Sequence, residues 1–225
     1  ELVVERCEFA GPMDGTHWYH NLYVGQIDKV TVTGSWSHHA RGGHLLKSRA
    51  RESLVLYNRL TDEAGTASYE LEFANGGVAR VVGNLIEQTA TTQNQAIVSY
   101  GAEGYRWPTN ELSMAHNTVV NRKPGSATFV RAAPGPASTV IANNLWVGRG
   151  SLDLPVATKE SGNLTVGARD FVDSARYDYR PSPSGLVHAD AAALPKQLTP
   201  AFQYVHERQT RPVPRGRLFP GAIQR

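Results

Sequence analysis

The feature that most constrains this chain is an internal repeat built around asparagine. Four similar segments place a mostly apolar run directly before an asparagine, and they read LVLYN, RVVGN, SMAHN and VIANN, ending at Asn58, Asn84, Asn117 and Asn144. The asparagines are separated by 26, 33 and 27 residues, and Ser35 lies 23 residues before the first. Such irregular spacing suits stacked coils whose loops differ in length, whereas helical repeats would be more regular and would show helical periodicity.

Each repeat unit also contains an earlier segment with strand character. These segments span residues 21–25, 44–49, 68–73, 96–101 and 127–131. Two strands and two turns in a unit of roughly 25 residues are typical of a β-solenoid, in which coils stack through parallel sheets. We therefore predict an all-β fold, a parallel β-helix of about five coils. The aligned asparagines are expected to form a ladder at one turn, each amide bonding to the coils above and below.

The repeat fades after Gly150, which sets the predicted domain organisation. Residues 1–167 are expected to form the β-helix, with 151–167 as a last irregular coil, and 168–225 an irregular C-terminal extension. The extension is rich in Pro, Arg and Tyr and more aromatic than disordered segments usually are. We expect it to pack back along the solenoid or to cap its open end.

The composition argues against several classes of protein. No run of 18 or more apolar residues is present, so no membrane span is expected. The net charge is +3, yet the stretch from Thr199 to Arg225 carries five arginines against one glutamate, which leaves the rest of the chain near neutral. A protein that coats nucleic acid is therefore not indicated. The single cysteine, Cys7, excludes an internal disulfide.

Two neighbouring strand-like segments present charge to one side. Strand alternation places Lys47 and Arg49 on one face of segment 44–49, and it places Glu70 and Glu72 on one face of segment 68–73. If the segments pair in a parallel sheet, the cationic pair lies roughly 5 Å from the anionic pair. The arrangement indicates either a functional site or a salt-bridge ladder on a solvated face.

Histidines are concentrated near these segments. Five of the eight fall within 28 residues, namely His17, His20, His38, His39 and His44. His44 or His20 could place an imidazole base beside the lysine and arginine. No HExxH or CxxC spacing is present, which argues against a zinc site.

Further candidates come from one strand and one loop. Tyr23 aligns with Lys47 and Glu70 on neighbouring coils, where it could stack on a sugar ring, transfer a proton or pack at the surface. Glu103, Arg106 and Trp107 belong to the longest turn of the repeat. Long loops beside a rigid solenoid face commonly form groove walls, and Trp107 could be a sugar-stacking platform or could pack within its loop.

Several longer motifs carry a resemblance to a known group of proteins. They are HNLYVG (20–25), SHHARGGHLLKSRA (37–50), YNRLTDE (57–63), SYELEFANGG (68–77), SYGAEG (99–104) and HNTVVN (116–121). With the repeat, they make the chain resemble right-handed parallel β-helix repeat proteins, including polysaccharide lyases of the chondroitinase B and alginate lyase type. The likeness covers most of the chain and implies a right-handed helix and an extracellular or periplasmic location.

The resemblance implies β-elimination at a uronic acid within an acidic polysaccharide. In that family calcium held by acidic side chains neutralises the sugar carboxylate, a lysine takes the C5 proton and an arginine assists. Glu70 and Glu72 match the acidic pair and would be the calcium ligands, whereas Lys47 and Arg49 lie one coil earlier than the family pattern has them. The roles implied are Arg49 on the carboxylate and Lys47 or His44 as base, with Tyr23 assisting.

Two other functions remain open at this point. A glycoside hydrolase would use Glu70 or Glu72 together with Glu103, as a pair of carboxyl groups flanking the scissile bond. A non-catalytic, glycan-binding β-helix would use the same surface without turnover. A β-helix hosts all of these functions, so the fold by itself does not separate them.

Overall fold

The fold is a right-handed parallel β-helix, seen in a computed structural model that describes residues 1–11 and 19–224. Within those residues the coils stack through three parallel sheets. The first sheet contains β1 (Leu2–Glu5), β4 (Lys29–Thr33), β7 (Glu52–Leu56), β10 (Val78–Val82), β13 (Glu111–Ala115), β16 (Ser138–Ala142) and β19 (Lys159–Ser161).

The second and third sheets complete each coil. The second sheet contains β2 (Glu8–Ala10), β5 (Trp36–His38), β8 (Arg59–Thr61), β11 (Leu85–Gln88), β14 (Thr118–Asn121), β17 (Leu145–Val147) and β20 (Leu164–Val166). The third sheet contains β3 (Tyr23–Val24), β6 (Leu46–Ser48), β9 (Leu71–Phe73), β12 (Ala96–Tyr100), β15 (Ala127–Ala132) and β18 (Gly150–Asp153). The prediction of an all-β parallel β-helix is confirmed.

The core lies inside the coils and is built by strand alternation. In the first sheet Val55, Val81 and Ile141 are all fully buried, whereas the residue before each of them along the strand is only partly buried. Stacked strands pair in register, so that Val55 lies directly beside Val81. Apolar side chains from successive coils therefore form continuous columns, and each coil buries its neighbour's apolar face.

The asparagine ladder is present at the turn between the first and second sheets. The backbone N–H and the side-chain Nδ2 of Asn58 both donate to Oδ1 of Asn84, at 2.8 and 3.0 Å. The same double contact links Asn84 to Asn117 and Asn117 to Asn144. The ladder continues to Asn163, which the repeat had not revealed. Side-chain amides thus satisfy backbone groups that the turn would otherwise bury unpaired.

The residue before each ladder position has left-handed backbone geometry. Its φ is 56° at Tyr57, 53° at His116 and 54° at Asn143, and glycine occupies the position at Gly34, Gly83 and Gly162. This sharp turn breaks each apolar run and starts a new strand after the asparagine. Each full coil therefore has three strands, and the expectation of two strands per unit was wrong.

The C-terminal extension packs along the side of the solenoid. It contains two antiparallel hairpins, β21 (Phe171–Asp173) with β22 (Asp178–Pro181) and β23 (Phe202–Val205) with β24 (Gln209–Pro212), and three short 3₁₀ helices, Ala168–Asp170, Ser174–Arg176 and Lys196–Leu198. Phe171 and Tyr179 cover outward-facing apolar residues of the second sheet, including Leu85 and Leu145. Of the two arrangements left open, packing along the solenoid is the one observed.

Helical content is small throughout the described residues. None of the helices found there has the length and apolar character needed to cross a lipid bilayer.

Candidate functional site

The predicted charged residues meet on the outer face of the third sheet. Strand β6 pairs with β3 and with β9 in parallel, in a register that places Lys47 beside Tyr23 on one side and Glu72 on the other. The Lys47 Nζ lies 2.8 Å from Glu72 Oε2. The expected pairing of segments 44–49 and 68–73, with a cation facing an anion, is confirmed for Lys47 and Glu72.

Arg49 completes the cationic group just beyond the end of β6. Its guanidinium donates from Nε to the Tyr23 hydroxyl at 2.8 Å and from NH1 to Asn75 Oδ1 at 2.6 Å. Its NH2 donates to Glu103 Oε2 at 2.5 Å, while Lys47 Nζ donates to Glu103 Oε1 at 2.6 Å. The two cations therefore hold opposite oxygens of a single carboxylate. We call Tyr23, Lys47, Arg49, Glu72 and Glu103 the Lys47/Arg49 site.

The long loop between β12 and β13 supplies Glu103 by folding back over the neighbouring coil. The backbone N–H of Glu103 donates to Ala74 O at 2.9 Å, and that of Arg106 donates to Asn75 O at 3.1 Å. Trp107 Nε1 then donates to the carbonyl of Arg49 at 3.1 Å. Trp107 is half-buried against the site and Arg106 is exposed, so the loop forms a wall beside the two cations.

Two histidines lie beside this site in adjacent coils, and hydrogen bonds fix their tautomers. His44 Nδ1 accepts from the Tyr69 N–H at 3.4 Å, so its Nε2 carries the proton that bonds Glu72 Oε2 at 2.9 Å. His20 Nδ1 accepts from the His44 N–H at 3.0 Å, which leaves its Nε2 protonated when the ring is neutral. His17 lies outside the described residues.

Hydrogen bonds within the site favour the charged forms of its lysine and its two glutamates. Burial opposes charge on Lys47, but hydrogen bonds to Glu103 and Glu72 outweigh it and raise the Lys47 pKa. The hydrogen bond from Lys47 lowers the pKa of Glu103. Burial would raise the pKa of Glu72, yet the bonds from His44 and Lys47 lower it on balance. Burial, with nearby His44 and Lys47, lowers the pKa of His20 to about 4.

Glu70 is not part of this site, contrary to the expectation that it shares a face with Glu72. Strand β9 begins only at Leu71, so Glu70 lies in the bend before it, where strand alternation does not apply. Its side chain is fully buried and Oε1 accepts from Thr92 Oγ1 at 3.0 Å. The alignment of Tyr23 and Lys47 is therefore with Glu72 rather than Glu70.

The glutamates do not fit the calcium site that the resemblance implied. Burial raises the pKa of Glu70 well above its usual value, and its Oε2 has no hydrogen-bond partner among the residues that the structure describes. A buried, protonated carboxylic acid is a poor ligand for a hard cation, which prefers ionised oxygens. Oε2 of Glu72 is already bound by both Lys47 Nζ and His44 Nε2, at 2.8 and 2.9 Å.

Sequence reasoning missed Asn75, which joins Arg49 to the loop. Its Oδ1 accepts from Arg49 and its Nδ2 donates to Gly104 O at 3.1 Å. The only signal was its place in ANGG, which indicates a turn directly after a charged strand.

Comparison with known proteins finds no matching family model, no similar curated protein and no similar solved structure.

Proposed function

We propose that this protein cleaves a uronic-acid-containing polysaccharide by β-elimination at the Lys47/Arg49 site. The observation that carries the proposal is the convergence of Lys47 and Arg49 on one carboxylate, that of Glu103, at 2.6 and 2.5 Å. A cation pair with this spacing is suited to a uronate carboxylate, because the planar guanidinium and the ammonium bind its two oxygens separately.

Glu103 would be replaced by the substrate carboxylate. Its side chain is 42% exposed and belongs to a loop, whereas Glu72, the other anion, is 3% exposed and fixed in a strand. Exchange of one carboxylate for another keeps the charge of the site constant. Lys47 remains paired with Glu72, so it stays positioned while Arg49 and Lys47 neutralise the uronate and make its C5 proton more acidic.

Tyr23 is the side chain best placed to transfer protons. The ammonium of Lys47 is held charged, and both ring nitrogens of His44 are engaged, so neither offers a free lone pair. The Tyr23 hydroxyl accepts from Arg49 and the residue is 51% exposed, so a substrate bound over the two cations can reach it. In the proposed reaction Tyr23 acts as the base in its phenolate form: it takes the C5 proton, the C4–C5 double bond forms, the C4–O4 bond breaks and the leaving oxygen is protonated by Tyr23 or water.

The experiment is an assay for unsaturated uronate by its ultraviolet absorbance, with a panel of acidic polysaccharides including alginate, pectate, glucuronan and chondroitin. Wild-type protein is expected to produce a rise on one of them. Tyr23→Phe should abolish turnover while retaining binding, and Arg49→Ala should weaken binding as well. Tyr177→Phe, on the far side of the solenoid, is the matched control and should behave as wild type.

Other outcomes would overturn the proposal. Reducing ends without the absorbance rise would indicate hydrolysis, and binding without any product would indicate a glycan-binding protein. Full turnover by Tyr23→Phe would show that Tyr23 does not transfer the proton. Full turnover by Arg49→Ala would show that the Lys47/Arg49 site is not where the reaction takes place. A chelated sample should remain active, because Glu70 and Glu72 do not form a calcium site.

A further inference from the structure

A second cluster lies outside the Lys47/Arg49 site, at the end of the second sheet. Among the described residues, His38, His39 and Glu63 bring one ligand atom each within 4.8 Å of one another. The two Nδ1 atoms of His38 and His39 are 2.5 Å apart, and His39 Nδ1 lies 4.0 Å from Glu63 Oε2. Two ring nitrogens this close repel each other unless a proton or a metal cation lies between them.

Two of the three candidate ligands, His38 and Glu63, are each held by a second residue on the side that faces away from the cluster. These contacts direct the remaining ligand atom of each toward the centre of the cluster. His38 Nε2 lies 3.2 Å from Glu8 Oε1, and Arg208 NH1 holds the other oxygen of Glu8 at 3.1 Å. A proton on Nε2 that bonds Glu8 leaves the lone pair of His38 on Nδ1, the atom that faces His39. A carboxylate behind a ligating histidine is a common arrangement at metal sites.

Glu63 is oriented in the same way. Its Oε1 accepts from Arg59 NH2 at 2.8 Å and lies 3.2 Å from Thr61 Oγ1, which leaves Oε2 on the histidine side. The cation of Arg59 is thus already paired with the outer oxygen.

The backbone contributes a separate observation. Both His39 and Glu63 have positive φ, at 52° and 58°, although neither is glycine. Such conformations cost free energy and are found preferentially at functional sites. They lie on adjacent coils, where the His39 N–H donates to Asp62 O at 3.1 Å. The ligands therefore come from different coils, which explains why no zinc spacing exists in the sequence.

We propose that His38, His39 and Glu63 form a binding site for a divalent transition metal ion, with zinc the best match. Two neutral imidazoles and one carboxylate suit zinc, which binds nitrogen at about 2.0–2.1 Å, so a small separation of the rings would accommodate the ion. Three protein ligands leave a fourth position for water or a ligand. The site is independent of the proposed elimination.

The test uses untagged, chelator-treated protein titrated with Zn²⁺ against a chromophoric indicator, and with Co²⁺ followed by visible absorption. Wild type is expected to bind one equivalent of either ion, and Co²⁺ should show the spectrum of a low-coordinate nitrogen and oxygen site. His39→Asn and Glu63→Gln should each weaken binding by at least about tenfold. Asparagine tolerates positive φ, so His39→Asn should preserve the fold.

Controls separate this site from general histidine binding and from misfolding. His188→Asn removes an exposed histidine of the extension and should bind as wild type does. Glu8→Gln changes the outer partner of His38, together with its ion pair to Arg208, but removes no ligand, and it should weaken binding less than loss of a ligand. Circular dichroism checks that each variant is folded. Two results would overturn the proposal. One is that wild type does not bind the metal stoichiometrically, as expected if only a shared proton lies between the two histidines. The other is that folded His39→Asn and Glu63→Gln bind the metal with unchanged affinity.

Discussion

At the scale of single residues, His116 shows how the left-handed turn position can hold a titratable group. Its ring is 1% exposed, Nδ1 donates to Phe219 O at 3.1 Å, and Nε2 accepts from Asn143 Nδ2 at 3.1 Å. The bond that Nε2 accepts requires the neutral ring, because a protonated Nε2 has no lone pair to offer. Burial lowers the pKa of His116 to about 4, only partly offset by the carbonyl of Phe219.

This gives a pH-dependent stability with a defined sign. The unfolded chain binds the His116 proton near pH 6.5 and the folded chain only near pH 4. The unfolded state therefore binds more protons between these values, and about 3 kcal/mol of stability is lost as the pH falls through that window. His116→Asn should remove this part of the loss, because asparagine does not titrate. The turn should accept it, since the next coil already carries Asn143 at the same position.

The measurement is urea unfolding of wild type and His116→Asn at pH 7 and at pH 4.5. The variant is expected to show a smaller decrease in unfolding free energy between the two pH values, whatever its stability at pH 7. Equal decreases in the two proteins would contradict the assignment.

The residue scale also shows how far the sequence could predict the site. Strand alternation and pairing correctly bring Lys47 beside Glu72, because both lie inside regular strands. The same rule fails for Glu70, which lies in a bend, and it cannot reach Glu103, whose loop crosses a coil. The approach of Glu63 to His39 depends on corner geometry between coils. Local periodicity contains no information about these contacts.

At the scale of secondary-structure elements, the first extension hairpin is attached to the second sheet by a buried polar group. The Tyr179 hydroxyl donates to Glu87 Oε2 and accepts from Arg122 NH2, the latter at 2.8 Å. Glu87 is fully buried and also accepts from Arg122 Nε at 2.7 Å. Tyr177 of the same hairpin contacts the sheet differently, with its ring 4.3 Å from the guanidinium carbon of Arg59.

These two tyrosines form a matched pair for mutation. Tyr179→Phe leaves a buried carboxylate oxygen without its donor and should cost about 1–3 kcal/mol of unfolding free energy. Tyr177→Phe keeps the ring over Arg59 and should change stability by no more than about 0.5 kcal/mol. Denaturant unfolding of both variants gives the comparison. Similar costs for the two would show that the hydroxyl of Tyr179 does not attach the hairpin.

Over the whole molecule, the asparagine ladder links the coils from Ser35 to Asn163. In a solenoid each coil contacts only its neighbours, so stability is approximately a sum of coil and interface contributions. The recurrence of an asparagine after a mostly apolar run made this part of the fold predictable from sequence. The third strand of each coil was not predictable in this way. The left-handed turn before each asparagine divides a stretch of sequence that reads as one continuous strand.

Position along the ladder should decide the cost of losing an asparagine. Asn84 lies mid-ladder and fully buried, accepts twice from Asn58 and donates to Val55 O and Asn117 Oδ1. Asn84→Ala should cost about 3 kcal/mol or more, since several buried groups lose partners. Asn163→Ala, at the partly exposed end, should cost less. Thermal unfolding of both variants measures the difference, and a greater loss at Asn163 would contradict the ladder's contribution.

The loop that carries Glu103 and Trp107 accounts for the widest interval of the ladder, 33 residues between Asn84 and Asn117 against 26 and 27 in the intervals on either side. The coil absorbs these extra residues without any change in how it stacks. Between Gly101 and Glu111 the loop is tied to the coil at two points, where Tyr105 packs against the core and Asn110 accepts from the Gly77 N–H. Grafting a different loop that keeps these two residues would change which groups face Lys47 and Arg49 and would leave the stacking of the coils unchanged.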